Sequence, residues 1–374
     1  MEKKNIILYT PGNVNVKENT KVSFSNNSAD VCLNKRSQEF YDAMNEQYNV
    51  VAWCCGKYGQ HEYSRELGEA WCIFVQQFLA KVEKNKLPID FAIQMFGHPV
   101  MVQPYPYFIF TDLIPWGDMS ILDTVHFPLI TKNYVHEQDK VYQNATGVMC
   151  FTPLSRYLTK NYHKVSSKRI TTICTGINGH VQNNYLKNPE KLILWAGSNF
   201  EGKGGKELLQ VFRKIRSVDP EYKLVFVGVD FEISEPGVRT YPFLHGTDLH
   251  ILEELFEKAM VFVMPSFREC SGLVFFEAMA RKTPIVVPTR GGMAEIVRRT
   301  GCGEIAIPGD VNSIYEAVMR VISDEQTYKR YSEAAYKFSI ENTDWKIVAD
   351  RIDNAITCWL DNKFEKIPVD YNLY

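Results

Sequence analysis

The chain has 374 residues, of which 45% are apolar and 23% charged, and its formal net charge is −2. Because a single hydrophobic core rarely grows beyond roughly 250–300 residues, this length predicts two domains of ordinary globular composition. The small net charge argues against a nucleic-acid-binding protein, which usually carries a basic domain or stripe.

The nine cysteines include no C-x-x-C pair. This pattern is typical of a reduced protein, so we expect a cytoplasmic location and neither a disulfide framework nor a zinc site. The N-terminus has a basic start and a short apolar run, which predicts a first strand and not a signal peptide. Since no apolar segment approaches the ~18 residues needed to span a bilayer, we expect at most peripheral membrane contact.

The first half of the chain contains short apolar runs that predict strands. These runs are 5–10, 49–55, 91–96, 107–112, 147–152 and 170–174. Several are separated by stretches that can form helices, for example 64–84 and 153–163.

The second half repeats this alternation more regularly. The predicted strands are 192–197, 223–228, 261–266, 284–289 and 304–309. The predicted helices are 204–217, 248–258, 273–282, 292–299 and 310–323, with a last helix from Asp344 to about Lys363. Strands alternating with helices indicate βαβ units, and non-alternating apolar strands suit a parallel sheet buried on both faces. We therefore predict an α/β fold of two doubly wound domains, with the boundary in the polar stretch 179–191.

The stretch RECSGLVFFEA (268–278) places a carboxylate on each side of a predicted helix start. The backbone amides of Ser271, Gly272 and Leu273 would lie in the first helical turn, where unpaired amides and the helix dipole bind anions such as phosphate. Glu277 would reach towards a ribose, and Glu269 towards a group beyond the phosphates. When the stretch is taken alone, an ordinary capped helix with two solvated glutamates is the favoured interpretation.

A second candidate loop follows the strand at 192–197, in the sequence AGSNFEGKGG. Ser198 and Asn199 lie in this loop, and Lys203 precedes two glycines and an amphipathic helix. A lysine is a compact cation with three donors, which suits a phosphate group. The alternative is a solvated lysine at an ordinary turn.

Taken together, these segments resemble the retaining nucleotide-sugar glycosyltransferases of family 4, which have the two-domain GT-B fold. The resemblance runs from about Thr152 to about Ile352 and includes FTPLSRYLTKNY, ICTGIN, AGSNFEGKGG, the E-x7-E region and GDVNSIYEAVMRVISD. It implies two Rossmann-like domains facing across a cleft. Residues 1–180 would bind the acceptor and 181–343 the nucleotide sugar, while a helix at about 344–374 would pack back on the first domain.

The resemblance also implies roles for the matching residues. Lys203 and the 271–273 amides would hold the diphosphate, Glu277 the ribose hydroxyls, and Glu269 the hydroxyls of the transferred sugar. The implied reaction is metal-independent transfer of a sugar to an acceptor hydroxyl with retention at the anomeric carbon. The implied donor is a nucleoside diphosphate sugar, with UDP- and GDP-sugars favoured, and the implied acceptor is a glycan, a glycolipid or a protein-linked glycan.

Two positions depart from the family's pattern. The family usually carries an arginine near the position of Lys203, and no arginine lies in this loop; Arg268 and Arg290, at other predicted strand ends, are candidates to replace it. The family's E-x-F-G-L reads E-C-S-G-L here, so the amides are kept while the apolar side chain at position 271 is lost.

The first half matches the family poorly. Gly12 and Asn13, after the first predicted strand, are candidates for contact with the phosphates. Asp112 ends the strand at 107–112 and is a candidate catalytic residue facing a sugar, although an Asp that caps a turn fits as well. Nearby aromatic residues and a basic run at 156–169 could meet a sugar or an anionic acceptor, but core packing and a solvated helix face are the simpler interpretations.

No D-x-D sequence and no His/Cys cluster with metal-ligand spacing occurs, so we expect neither a metal nor a cofactor. A nucleotide-sugar epimerase on the same fold and a non-catalytic sugar-nucleotide-binding protein stay open as alternatives. A Rossmann dehydrogenase is disfavoured, because AGSNFEGKGG lacks the G-x-G-x-x-G spacing.

Overall fold

The structure is a computed structural model that describes residues 3–15, 22–23, 35–57, 79–95, 104–112, 139–179, 181, 186–244 and 248–371. The described chain divides into two compact units. The first unit is formed by residues up to Asn178 together with Trp345–Tyr371, and the second unit by residues from Gly179 to Asp344.

The first unit is built on a seven-stranded sheet. Its strands are β1 (Asn5–Asn15), β2 (Val22–Ser23), β3 (Asn49–Lys57), β4 (Phe91–Met95), β5 (Tyr107–Thr111), β6 (Gly147–Cys150) and β7 (Ile170–Thr172). The order across the sheet is β2-β3-β1-β4-β5-β6-β7, and every neighbouring pair is parallel except β2 with β3. Strands β4, β5 and β6 are buried along their whole length, as expected for a parallel sheet covered on both faces.

The described part of this unit contains the complete helices α1 (Lys35–Gln47), α2 (Pro153–Tyr162) and, from the end of the chain, α9 (Trp345–Leu360). Residues 79–84 and 139–144 are also helical. Two tryptophans anchor α9 to the unit: Trp345 packs on Phe40 of α1, with ring centroids 5.5 Å apart, and Trp359 stacks on Phe108 of β5 at 5.8 Å. The backbone of Gly147 leaves room for Trp359, because a Cβ at this position would lie 2.2 Å from the indole ring.

The second unit is built on a six-stranded parallel sheet. Its strands are β8 (Leu192–Ala196), β9 (Lys223–Val227), β10 (Val238–Tyr241), β11 (Val261–Val263), β12 (Ile285–Pro288) and β13 (Gly303–Ala306). Its helices are α3 (Gly205–Val218), α4 (Leu249–Lys258), α5 (Leu273–Ala280), α6 (Gly292–Thr300), α7 (Val311–Ile322) and α8 (Glu325–Asn342). The strand order is β10-β9-β8-β11-β12-β13, so the order reverses between β8 and β11.

The predicted fold class of two doubly wound α/β units is confirmed. None of the helices in the described ranges is long and apolar enough to cross a membrane. One correction concerns β1, which was predicted to end at Thr10 but continues to Asn15, because Pro11 and Asn15 still pair with Gly56 and Lys57 of β3. Gly12 and Asn13 therefore lie in a strand and not in the loop where the sequence placed them.

A buried lysine lies near the start of the second unit, away from the predicted site residues in sequence. The ammonium of Lys187 donates to the carbonyl oxygen of Phe256 and to Oγ1 of Thr283, both at 2.6 Å. Burial lowers the pKa of Lys187 to about 7, an effect that the nearby Arg281 reinforces and Glu257 opposes. The protonation of this group therefore differs between the folded and the unfolded chain near neutral pH.

We expect the stability of the wild-type chain to rise relative to that of Lys187→Met as pH increases above 7. The folded pKa lies below the unfolded value of about 10.4, so above pH 7 the folded chain releases a proton that the unfolded chain keeps. Between pH 7 and 9 this linkage amounts to about 2 kcal/mol. The measurement is the difference in urea midpoint between the two proteins across this range.

The neighbouring substitution Leu186→Ala serves as the control, because Leu186 is 89% exposed and carries no titratable group. Its pH profile should run parallel to that of the wild type. If the urea midpoints of the wild type and of Lys187→Met also change in parallel with pH, the expected linkage is wrong.

Candidate functional site

The reversal of strand order in the second unit brings two predicted loops together. β8 and β11 are neighbours in the sheet although some 65 residues separate them in the chain, and both strands run in the same direction. In open α/β sheets, ligands bind beyond the carboxyl ends of the strands at such a reversal. The loop that follows β8 carries Lys203, and the loop that follows β11 carries Glu269.

The backbone of Lys203 is fixed on both sides. Its amide donates to the carbonyl oxygen of Asn199 at 2.9 Å, and its own carbonyl oxygen accepts from the indole Nε1 of Trp195 at 3.0 Å. The side-chain oxygen of Asn199 accepts from the amide of Gly202 at 2.8 Å, which closes the turn. Ser198 and Asn199 are exposed, so this tight loop holds the lysine while presenting polar groups to solvent.

The two loops pack directly against each other at Gly204. This residue has a φ of +73°, and a Cβ added to it would lie 2.6 Å from the carbonyl oxygen of Pro265. The amide of Phe267 also donates to the carbonyl oxygen of Gly202, at 3.1 Å. The absence of a side chain at position 204 therefore allows the loop after β8 to approach the loop after β11.

Replacing Gly204 by alanine is expected to destabilise the chain by about 2–4 kcal/mol. The left-handed backbone conformation costs an L-residue about 1–2 kcal/mol, and the contact with the backbone of Pro265 adds to it because neither group can rotate away. Thermal or urea unfolding measures the loss.

Gly301→Ala is the matched control for this substitution. Gly301 also has a left-handed φ, of +67°, but a Cβ there would meet nothing within 4 Å. It should therefore show the conformational cost of roughly 1–2 kcal/mol alone. Equal losses for the two variants would mean that the close approach of the loops adds nothing to stability.

The loop after β11 is held by the start of α6. The amide of Gly292 donates to the carbonyl oxygen of Cys270 at 2.8 Å. A Cβ on Gly291, whose φ is +115°, would lie 2.7 Å from the carbonyl oxygen of Glu269. Sequence reasoning did not assign a role to Gly291, although a Gly-Gly pair directly after a strand is a signal of close backbone approach.

Lys203 and Glu269 meet in an ion pair at the point where the loops converge. Lys203 Nζ lies 2.6 Å from Glu269 Oε2, and the two side chains are 27% and 8% exposed. The other carboxylate oxygen of Glu269, Oε1, accepts from the amides of Cys270 at 3.2 Å and Gly272 at 3.1 Å. The hydroxyl of Ser266 donates to Oε2 of Glu269 at 3.4 Å, and the sequence had not identified Ser266 as a partner.

Of the two amides that hold Glu269, that of Gly272 is the N-cap amide of α5, and that of Cys270 lies in the loop two residues before it. Gly272 is the N-cap of this helix and has a φ of +55°. Ser271 is fully buried, whereas Leu273 and Glu277 are half-buried, with Glu277 on the second turn. The sequence predicted this helix start and the residues around it, and the observed helix is two residues shorter at its C-terminal end than predicted.

The two arginines proposed to replace the missing one lie in neighbouring loops. Arg268 directly precedes Glu269 and is half-buried, and Arg290 is exposed and precedes Gly291, which packs on the Glu269 backbone. The positive groups that the structure brings together are Lys203 and the amides at the start of α5, and the two arginines lie in the adjoining loops. Such a set can hold a doubly charged anion such as a diphosphate.

The candidate residues of the first unit are placed less completely. Asp112 directly follows β5 and is half-buried, at the carboxyl end of the parallel strands. The backbone of Gly12 and Asn13 lies in β1, in the part where the ladder with β3 changes register, while their side chains fall outside the described residues. In the ranges that the structure describes, no group of three or more His, Cys, Asp or Glu side chains is arranged to hold a metal ion.

Comparison with known proteins matches residues 180–338 to the family Glycosyl transferases group 1. An uncharacterised glycosyltransferase of Methanocaldococcus jannaschii is 32% identical over 178 residues, which cover 46% of this chain and 45% of that protein. The match covers between 27% and 56% of the length of the curated relatives.

The fold of the whole chain also occurs in solved structures. Sucrose-phosphate synthase from Thermosynechococcus elongatus aligns with a TM-score of 0.70 at 15% identity, covering 96% of this chain and 100% of that one. A putative UDP-N-acetylglucosamine 2-epimerase from Listeria monocytogenes aligns with a TM-score of 0.62 at 11% identity, covering 99% and 100%. At these identities the likeness concerns the fold alone, which is of the GT-B type predicted from the sequence.

Proposed function

We propose that this chain transfers a sugar from a nucleoside diphosphate sugar to an acceptor hydroxyl, since residues 180–338 match the family Glycosyl transferases group 1. The observation that carries the proposal is the meeting of Lys203 and Glu269 at the start of α5, beside the reversal of strand order. A cation, a helix N-terminus and a carboxylate are thereby placed together where such sheets bind nucleotides.

In the proposed complex, the diphosphate lies against Lys203 and the amides of residues 271–273. Glu277, farther along α5, accepts from the ribose hydroxyls, and Glu269 accepts from hydroxyls of the transferred sugar. Ser198 and Asn199 border the phosphates on the exposed side of the loop. UDP- and GDP-sugars are the favoured donors.

The proposed reaction breaks the bond between the anomeric carbon and the diphosphate oxygen and forms one to the acceptor oxygen. The proton of the acceptor hydroxyl passes to the leaving diphosphate, and the configuration at the anomeric carbon is retained. Lys203 and the helix amides stabilise the negative charge that develops on the leaving group. These groups perform the task that a divalent metal performs in other enzymes, so we propose a metal-independent reaction without a cofactor.

The acceptor is proposed to bind the first unit, at the carboxyl end of its sheet where Asp112 lies. Asp112 would orient an acceptor hydroxyl or a donor hydroxyl by accepting its hydrogen bond. A glycan, a glycolipid or a protein-linked glycan supplies such hydroxyls.

A thermal-shift screen with UDP-, GDP-, ADP- and dTDP-sugars tests the proposal. A donor at a hundred times its dissociation constant should stabilise the chain by about 2.7 kcal/mol. The corresponding nucleoside monophosphates are the control, because they lack the second phosphate. The proposal fails if none of the four nucleotide sugars shifts the melting temperature more than the monophosphates do.

The solved epimerase of the same fold gives a second candidate, nucleotide-sugar epimerisation. Incubating the stabilising donor with the protein and without acceptor separates the two functions. An epimerase converts the sugar under these conditions, whereas a transferase leaves its configuration unchanged and needs an acceptor to release the nucleoside diphosphate rapidly.

A further inference from the structure

The carboxylate of Glu269 lies at the start of α5, where a helix N-terminus binds anions. Its Oε1 accepts from the Cys270 and Gly272 amides at 3.2 and 3.1 Å, and its Oε2 pairs with Lys203 Nζ at 2.6 Å. The side chain is only 8% exposed. Glu269 therefore uses the same kinds of donor that a bound phosphate oxygen uses, and at the same helix terminus.

A backbone amide has a single hydrogen, so a phosphate oxygen and the Glu269 carboxylate compete for the amide of Gly272. Both are anions, and like charges this close repel strongly where little water screens them. The carboxylate also neutralises the charge of Lys203, whose Nζ lies 2.6 Å from it, so Lys203 attracts a diphosphate less strongly while the ion pair is intact. Nucleotide binding and the ion pair with Lys203 therefore compete.

The hydroxyl of Ser271 is a second, independent observation that points to a ligand at the start of α5. Ser271 lies between the two residues whose amides donate to Glu269, and it is fully buried. Its Oγ has no hydrogen-bond partner among the residues that the structure describes. Since an unpaired buried hydroxyl costs free energy, the Ser271 hydroxyl is a donor that a ligand oxygen at this turn could use.

We infer that Glu269 discriminates between the nucleotide sugar and the free nucleoside diphosphate, an inference that rests on the proposed function. When a nucleotide sugar displaces Glu269 from Lys203, the sugar's hydroxyls offer new hydrogen bonds to the carboxylate. A nucleoside diphosphate displaces the carboxylate and offers no such hydroxyls. The return of Glu269 to Lys203 and the Gly272 amide therefore weakens the binding of the product selectively and favours its release.

Calorimetric titration of the wild-type chain and of Glu269→Gln tests this role. The probes are UDP with UDP-glucose, GDP with GDP-mannose, ADP with ADP-glucose and dTDP with dTDP-glucose. For the base that the wild type binds, Glu269→Gln should tighten the nucleoside diphosphate about tenfold, because the neutral amide no longer competes for Lys203. The nucleotide sugar should gain nothing or lose affinity, because its hydroxyls lose a charged acceptor.

Glu201→Gln is the matched control, since it removes a carboxylate from the loop after β8 without touching the pair. Glu201 is 71% exposed and pairs with Lys206. It should change either affinity by less than about twofold, as exposed charges do at physiological salt. Melting temperatures of both variants establish that they fold.

The outcomes separate the two proposals. If the wild type binds nucleotides but Glu269→Gln binds the nucleoside diphosphate equally or less tightly, the inference is overturned and the proposed function stands. Equal tightening of the nucleoside diphosphate and the nucleotide sugar overturns the discrimination as well. If neither protein binds any of the eight probes, the proposed function fails and the inference falls with it.

Discussion

Lys203→Met is expected to lower kcat/KM for sugar transfer by about 10²–10³-fold. Lys203 is the cation that the loop after β8 places at the start of α5, and its backbone is fixed by Asn199 and Trp195. Its interaction with the diphosphate strengthens as negative charge accumulates on the leaving group, so its loss should reduce kcat as well as donor affinity. Steady-state kinetics with the donor found by thermal shift measures both.

Lys203→Met should also lower the stability of the chain, because it removes one charge of the Lys203–Glu269 ion pair. Without Lys203, the carboxylate of Glu269 keeps only its neutral donors while staying 8% exposed. Leaving one partner of a largely buried pair without its counterion is destabilising, although the 27% exposure of Lys203 reduces the loss. The double variant Lys203→Met with Glu269→Gln should recover part of it, which a double-mutant cycle quantifies.

Lys206→Met provides the comparison for the effect on kcat/KM. Lys206 lies three residues farther along, is 58% exposed and pairs with Glu201. If its removal lowers kcat/KM as much as the removal of Lys203, a general loss of positive charge explains the effect and the assigned role of Lys203 is wrong.

The strands of the second unit could be predicted from the sequence because their apolar runs are continuous. β8 and β12 are buried along their whole length, so no solvent-facing residue interrupts the signal. β10 could not be predicted in this way, since it is an edge strand of four residues, VRTY, and is half-exposed or exposed throughout. Its pairing with β9, and not its own composition, makes it a strand.

Helix α8 shows a different limit. Its buried face includes Ser332, Ala335, Tyr336 and Ser339, which are small or partly polar residues. The apolar period that identifies a helix is therefore weak, and the sequence did not predict α8. α7 was predicted because Ile314, Val318 and Val321 repeat at helical spacing on its buried face.

The candidate site could be predicted as two separate loops but not as one cluster. The sequence placed Lys203 and Glu269 after strands, and the strand order that makes those strands neighbours depends on contacts between distant segments. The direction of the Glu269 side chain, whose carboxylate accepts from the Gly272 amide and pairs with Lys203, depends on the contact between the two loops, which no local sequence pattern shows. The roles of Asp112, Glu277 and the other candidate residues stay predictions.

Glu269→Ala is expected to reduce the turnover number for transfer by about 10³-fold while binding of the nucleotide sugar survives. In the proposed complex, Glu269 accepts from hydroxyls of the transferred sugar and thereby positions the anomeric carbon, so its contribution appears mainly in kcat. The diphosphate keeps Lys203 and the helix amides, which also lose a competing carboxylate. A titration with the nucleotide sugar and a single-turnover transfer assay measure the two effects separately.

Glu277→Ala gives the contrasting result that makes the assignment testable. Glu277 lies eight residues farther along, on the second turn of α5, and is proposed to bind the ribose. The ribose does not change during the reaction. Removing the Glu277 carboxylate that binds it should therefore raise KM by about 10–100-fold and change kcat less. Full transfer activity in Glu269→Ala would contradict the assignment of Glu269 to the sugar and Glu277 to the ribose. The same changes in kcat and KM in both variants would contradict it as well.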